Sequence, residues 1–177
     1  CIEAALSGVA CSILTIDRAG LIHPLAAPSL PEAYCASLEG MMIGPDCGSC
    51  GAAAYRRTPI VVEDITRDIR FAQFIHHLDG LDLKACWSFP VLDPVGDAVA
   101  VLAIYSREAR PPLPPELNLA EGCVDLCATA LRRHERIVDR ERRASIDALT
   151  GLPNRSAFDA ALGTIRCDEP GSWGLFV

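Results

Sequence analysis

No stretch of this sequence is long and apolar enough to cross a bilayer. A membrane helix needs about 20 consecutive apolar residues, and the longest run, Ala98 to Tyr105, has the length of a strand. A surplus of positive charge is missing too. The formal net charge is −7, which argues against nucleic acid as a partner, because phosphate binding needs a basic surface. No P-loop, no HExxH and no Ser-His-Asp constellation can be picked out, so phosphate-loop, zinc-protease and serine-hydrolase chemistry have no foothold. No signal peptide is visible, and the chain opens at Cys1 rather than methionine; the expectation is a fragment of a longer protein. With half of its 177 residues hydrophobic, the chain holds enough apolar material for one domain with a proper core plus further elements.

Cysteine is the residue in excess: nine, an odd number. Several lie inside apolar patterns, Cys11 in ACSILTI, Cys86 in KACWSFPVL, and Cys123 and Cys127 in a helical stretch. Reduced, buried cysteines of a cytoplasmic protein look like this, and a secreted disulfide framework does not.

The dominant element is the stretch from Pro115 to Ala148, rich in Leu, Ala, Arg and Glu and free of proline after Pro115. At 1.5 Å per residue it predicts a helix roughly 50 Å long, suited to joining two domains. Val124, Leu131 and Val138 recur every seven residues with Cys127 between the first two, as in a short heptad. His134, Glu141 and Ser145 fall on the same stripe and weaken it. Such a seam predicts a weak homodimer; the alternative is a solvated helix packed on its own domain. The six arginines between Arg132 and Arg143 are interleaved with acids, which reads as a solvated face with i,i+4 pairs.

Before that helix the sequence predicts a helical tail at Cys1–Leu6 and a hairpin from Ala10–Asp17 and Leu21–Ala26. A short helix Pro31–Leu38, a glycine-rich loop Gly44–Gly51, a helix Ala52–Arg57 and a strand Pro59–Glu63 follow. A helix Ile69–Leu78 capped by Asp68 comes next, then strands Lys84–Leu92 and Ala98–Ser106. Helices interleaved with hairpin-connected strands make an α+β domain on an antiparallel sheet. Beyond the long helix, Pro153–Leu162 reads as a helix and Trp173–Val177 as the first strand of a second domain.

The segment Asp147-Ala148-Leu149-Thr150-Gly151-Leu152-Pro153-Asn154-Arg155 resembles the DxLTGLPNR motif that opens GGDEF diguanylate cyclase domains. Asp147, Thr150, Asn154 and Arg155 are its marked positions, and Asp147 and Arg155 can pair across the turn. The resemblance implies a parent enzyme making cyclic di-GMP from GTP with Mg2+. Its metal carboxylates and GG(D/E)EF loop belong beyond Val177, so this fragment is not expected to be the enzyme. Upstream, Cys11-Ser12-Ile13-Leu14, Ala27-Pro28-Ser29-Leu30-Pro31, Ile43-Gly44-Pro45, Gly48-Ser49-Cys50-Gly51, Val62-Glu63-Asp64-Ile65 and Ala85-Cys86-Trp87-Ser88 are similar to the GAF domains that precede GGDEF and EAL domains in bacterial signalling proteins. Ala52 departs from the threonine usual after the GSCG pattern. This resemblance, from Cys1 to about Ile137, implies a six-stranded antiparallel sheet flanked by helices. It also implies a small-molecule pocket on one face and dimers through the terminal helices. The domain reading is 1–114 sensory domain, 115–146 signalling helix and 147–177 start of the cyclase domain.

Candidate ligand-binding residues are Cys50, Tyr55, Asp64, Cys86 and Trp87; no catalytic residue, metal ligand or certain cofactor is assigned. Cys47 and Cys50 form a CxxC, whose use as a metal site needs two further ligands; Cys35 and Cys86 are candidates that the spacing does not bring near, a Cys47–Cys50 disulfide stays open, and Cys50, just before a helix, is placed for a lowered thiol pKa. Cys86 and Trp87 must face opposite sides of a strand; the preferred arrangement turns Cys86 to the glycine loop and Trp87 to the helical layer. Asp64 and Asp68 read more readily as caps than as ligands. His76 and His77, adjacent on a helix, cannot serve one ligand. His134 sits on the heptad seam, where titration would loosen a dimer. The functional expectation is a sensor of a small molecule or of redox state, feeding a diguanylate cyclase through a dimeric helix. The alternatives are a ligandless dimerisation scaffold and a cysteine-based reductase of free methionine sulfoxide.

Overall fold

The computed structural model describes residues 2–164 except positions 75, 77, 79, 148 and 149. The chain divides into two compact units, Cys1–Ala130 and Leu131–Val177. The first is built on one sheet. A short helix α1 (Ile2–Ala5) precedes the hairpin β1 (Val9–Ile16) and β2 (Leu21–Ala26). The hairpin turn is fastened by the Asp17 carboxylate, which accepts from the N–H groups of Ala19 and Leu21, both at 2.8 Å. Helix α2 (Glu32–Leu38), a two-residue strand β3 (Met41–Met42), helix α3 (Gly48–Arg56) and strand β4 (Ile60–Val62) follow. The long strands β5 (Ala85–Leu92) and β6 (Ala98–Ser106) close the sheet. The strand order is β3-β2-β1-β6-β5-β4, and every pairing is antiparallel. The α+β class and the six-stranded antiparallel sheet are as the sequence implied.

Alternation along the strands sorts the core into two layers. One face carries Ala10, Leu14, Ile22, Val62, Cys86, Val101, Ala103 and Tyr105 beneath α2 and α3. The other carries Cys11, Ala85, Trp87, Phe89, Leu102 and Ile104, covered by Ile2 of α1 and by Ala120, Leu117, Cys123 and Val124 of the long helix α4 (Pro114–Ser145). A sheet buried on both faces explains why β5 and β6 read as nearly unbroken apolar runs.

The start of α4 is over-determined. Pro114 occupies the first helical position, where its missing N–H costs nothing. Two residues on, the Glu116 carboxylate reaches back to the Leu113 N–H at 2.6 Å, half of a capping box. It also takes both arms of the Arg110 guanidinium at 2.7 and 2.8 Å. Arg110 in turn lies over the Trp87 ring, 5.1 Å from its centroid, and its carbonyl accepts the Trp87 indole N–H at 3.1 Å. One buried aromatic of β5 thus anchors the root of α4.

In the second unit, the turn after α4 is closed by its own side chains. Asp147 accepts from the N–H and hydroxyl of Thr150, both at 2.9 Å, while Gly151 takes a positive φ of 70°. The Asn154 side chain donates to the Ala144 carbonyl at 2.6 Å and caps α5 (Arg155–Thr164) by accepting the Ala157 N–H at 3.0 Å. Arg155 lies 3.9 Å from Asp159, one turn further along α5.

Two elements differ from expectation. The predicted helix Ile69–Leu78 opens as a 3-10 turn, Ile69–Phe71, and gives way to turns at 72–74, although Asp68 does cap it by accepting the Arg70 N–H at 2.9 Å. Phe71 and Phe74 are drawn into the core, and their packing overrides a modest helical propensity. Helix α3 begins at Gly48, not Ala52, so the glycine-rich loop contributes its GSCG segment to the first turn of the helix. The expected strand Trp173–Val177 and His77 lie outside the described residues.

Candidate functional site

The first turn of α3 packs against the face of β5 and β6 that carries Cys86, Ser88 and Tyr105. Gly48 takes φ +60°, a left-handed conformation that favours glycine. Gly51 admits Cys47: a Cβ there would stand 2.7 Å from the Cys47 Cβ. The turn therefore lies close enough to the sheet to place Ser49 and Cys50 over β5.

What results is a buried chain of sulfur and hydroxyl groups. Ser49 Oγ donates to Cys86 Sγ at 3.0 Å, and Ser88 Oγ donates to Ser49 Oγ at 2.9 Å. Ser88 Oγ also meets Cys50 Sγ at 3.4 Å and Cys86 Sγ at 3.8 Å. Tyr105, which neighbours Cys86 across the β5–β6 ladder, has its hydroxyl 3.1 Å from that of Tyr34 on α2, with the two rings edge to face. The Cys50 thiol is brought down to about 7, chiefly because the Cys86 thiol hydrogen-bonds it, with Ser88, Tyr105 and Ser49 adding to this against the cost of burial. Cys86 is pushed well above the ordinary thiol value, first by burial and then by its interaction with Cys50. Burial likewise raises Tyr34 and Tyr105, which stay neutral donors. The nearness of the two thiols, beside the hydroxyls of Ser49 and Ser88, thus favours ionisation at Cys50 and disfavours it at Cys86.

Beside Cys50 lies a cavity of about 10 Å³ lined by Tyr34, Met41, Cys47, Ser49, Cys50 and Phe74, among others. That is the lower limit for one water molecule. On the same face the buried Ser12 hydroxyl has no hydrogen-bond partner, and it stands across Ala103 from Ser88 in the ladder.

Of the residues singled out in the sequence, Cys50 and Cys86 come together and the others do not join them. Trp87, fully buried, faces the opposite layer and serves the root of α4. Tyr55 lies on the outer side of α3 and is 56% exposed. Asp64 closes its own turn, accepting from the Thr66 N–H at 2.9 Å and the Thr66 hydroxyl at 2.6 Å. Along the heptad stripe, Val124 is committed to its own sheet, Cys127 and Leu131 are half-buried, and His134 and Val138 are exposed. The sequence reading passed over Ser49, Ser88, Tyr34 and Tyr105. The i,i+2 spacing of Cys86 and Ser88 on a strand was the signal for Ser88; the tyrosine pair spans 71 positions of sequence and left no local trace. Among the described residues, no cluster of three or more His, Cys, Asp or Glu is arranged to hold a metal, and no helix is long and apolar enough to cross a membrane.

The sheet order and its two covered faces match a known architecture, and a family model for the GAF domain matches residues 3–131. The chain belongs to the GAF domain family. Among curated proteins this GAF domain is similar to the methyl sulfide methyltransferase-associated sensor of Methanosarcina acetivorans, 30% identical over 166 residues. The match takes in 92% of this chain but only 16% of the relative's length. Among solved structures, it resembles the GAF domain of a phosphoenolpyruvate-protein phosphotransferase from Coxiella burnetii, with a TM-score of 0.62 and 21% identity over 78% of this chain and 80% of the other. It also resembles a type II free methionine-R-sulfoxide reductase from Thermoplasma acidophilum, with a TM-score of 0.55 and 11% identity over 72% and 82%. At such identities these structures speak for the GAF fold alone.

Proposed function

We propose that this chain is the sensory part of a bacterial diguanylate cyclase, a GAF domain that responds to redox state and passes its response along α4. The observation that carries this reading is the coupling of β5 to both ends of the path. Cys86 faces the thiol site, and its neighbour Trp87 holds the root of α4 through Arg110 and Glu116. α4 then runs unbroken to Ser145, just before the turn whose sequence, Asp147 to Arg155, resembles the opening of a GGDEF domain. In this reading α4 pairs with the same helix of a second copy, and the sensed change shifts the population of two helix arrangements. GTP and Mg2+ serve only the cyclase domain.

At the Cys50 site redox sensing is preferred over binding of an organic ligand on volume, while a second, open cleft of about 460 Å³ lined by Asp46, Arg56, Arg67, Asp68 and Arg70 has room for one. A small-molecule site ordinarily occupies about 300–1,000 Å³, and the cavity beside Cys50 holds about 10 Å³. The same comparison weighs against reduction of free methionine sulfoxide, although Cys50 has a thiol suited to it. The test uses the parent protein that contains this segment. It should convert GTP to cyclic di-GMP, and the rate should differ between thiol-reducing and oxidising conditions. A parent with no such turnover would end the cyclase reading. Unchanged output in both conditions, together with a chain that is dimeric throughout, would favour a ligandless scaffold.

A further inference from the structure

We propose that Cys50 and Cys86 are a reversible dithiol–disulfide pair oxidised by hydrogen peroxide. The chemistry rests on the site alone; its consequence for output rests on the sensor reading above. Three features point to it. The two sulfurs share the hydroxyl of Ser88, and Ser49 holds Cys86 from the other side. Cys50 lies in the first turn of α3, where the helix dipole favours an anion. The cavity at its side admits a water-sized molecule and little more. Cys47 lines that cavity too and is half-buried.

The oxidation balances in two steps. The Cys50 thiolate attacks one peroxide oxygen and the O–O bond breaks. Cys50 becomes a sulfenic acid, and the departing hydroxide takes a proton to leave as water. The Cys86 sulfur, losing its proton, then attacks the sulfenic sulfur; the S–O bond breaks and a second water leaves. Two electrons pass from the two sulfurs to the peroxide. The product ties α3 to β5 and ends the Ser49–Cys86 hydrogen bond, one residue from Trp87. The sequence had paired Cys50 with Cys47 as a CxxC; the structure gives Cys50 a different partner, across 36 positions of chain.

The experiment treats the full, reduced chain with equimolar hydrogen peroxide and reads intact mass and disulfide-linked peptides. The expected result is loss of two hydrogen atoms, a peptide joining Cys50 to Cys86, and reversal by dithiothreitol. Cys86→Ser, folded by circular dichroism, should leave a sulfenic acid at Cys50 that a dimedone-type reagent traps. In the wild-type chain, oxidation should speed up with pH around a midpoint of about 7. Glutathione disulfide, too large for the cavity, should oxidise the pair at least about tenfold more slowly. A Cys47–Cys50 link, oxidation confined to Cys123 and Cys127, or equal reaction with glutathione disulfide would overturn the proposal, and the wild-type readout stands even if a variant fails to fold. If the link forms in the parent while cyclic di-GMP output stays flat, the pair survives and the sensor reading fails; if output responds to redox state without the link, the pair fails and the reading survives.

Discussion

At the scale of single residues, His23 on β2 makes the sharpest case for chemistry that the sequence did not advertise. Its Nδ1 lies 2.5 Å from Glu39 and its Nε2 3.2 Å from Asp17, so both ring nitrogens face carboxylates and both must donate. That requires the imidazolium. Its pKa is raised, first by Glu39 and then by Asp17. A raised folded value means the contribution is complete below the unfolded pKa of about 6.5 and is lost as pH climbs through the folded one. Wild type should therefore lose melting temperature relative to His23→Gln as pH rises from about 6 to about 9; parallel curves would refute the clasp. Gly51 offers a second residue-scale test. With the Cys47 Cβ 2.7 Å from where an alanine Cβ would sit, Gly51→Ala should cost about 1–3 kcal/mol in denaturant unfolding, the usual range for overpacking. Little of this was legible beforehand. His23 lies 16 positions from Glu39, and the glycine-rich loop signals a tight turn without saying what is packed against it.

At the scale of elements, α4 shows how a helix can be fixed at one end. Glu116, 7% exposed, is held below its usual range chiefly by the Arg110 guanidinium. Glu116→Ala would leave that cation without its main partner and the Leu113 N–H without an acceptor, a loss of about 3 kcal/mol on the scale of broken buried pairs. Because the folded pKa is depressed, this stabilisation is present above the unfolded pKa and disappears as pH falls through the folded value. Urea unfolding at neutral pH and in acid should show the two proteins converging at low pH. The helix itself was plain in the sequence, from composition and the absence of proline after Pro115. Its capping was not, because Trp87 steadies the Arg110 that binds Glu116 only once β5 is in place. The segment 69–78 shows the reverse: propensity favoured a helix, and two phenylalanines drawn into the core end its opening 3-10 turn at Phe71.

At the scale of the molecule, the proposed pairing of two copies can be tested along α4. Val124 is spent on the sheet, whereas Leu126, Ile137 and Val138 are 70%, 46% and 46% exposed. If α4 pairs with its twin along the far part of the heptad stripe, Val138→Glu should raise the dimer dissociation constant about tenfold or more and leave thermal stability of the first unit intact. Val124→Glu should instead destabilise the first unit by placing a charge against its core. Sedimentation velocity read beside thermal unfolding separates the two; equal effects of both variants on association would mean that α4 is not the seam.

The sequence alone determined the α+β class, the positions of the long strands, the long helix and the turn at Asp147–Arg155. These follow from periodicity, proline and glycine placement and local capping, all of which act within a few residues. Only the tertiary structure decided which cysteines meet. Cys50 had a sequence neighbour in Cys47, but α3 begins a turn earlier than its composition suggests, and this carries Cys50 onto β5 beside Cys86. Likewise the strand rule set Cys86 and Trp87 on opposite faces, while only the packing of two layers showed that one face holds a thiol pair and the other the root of a helix. Burial and the neighbours it brings together are what shift a thiol pKa and shape a cavity, and both are properties of the assembled sheet.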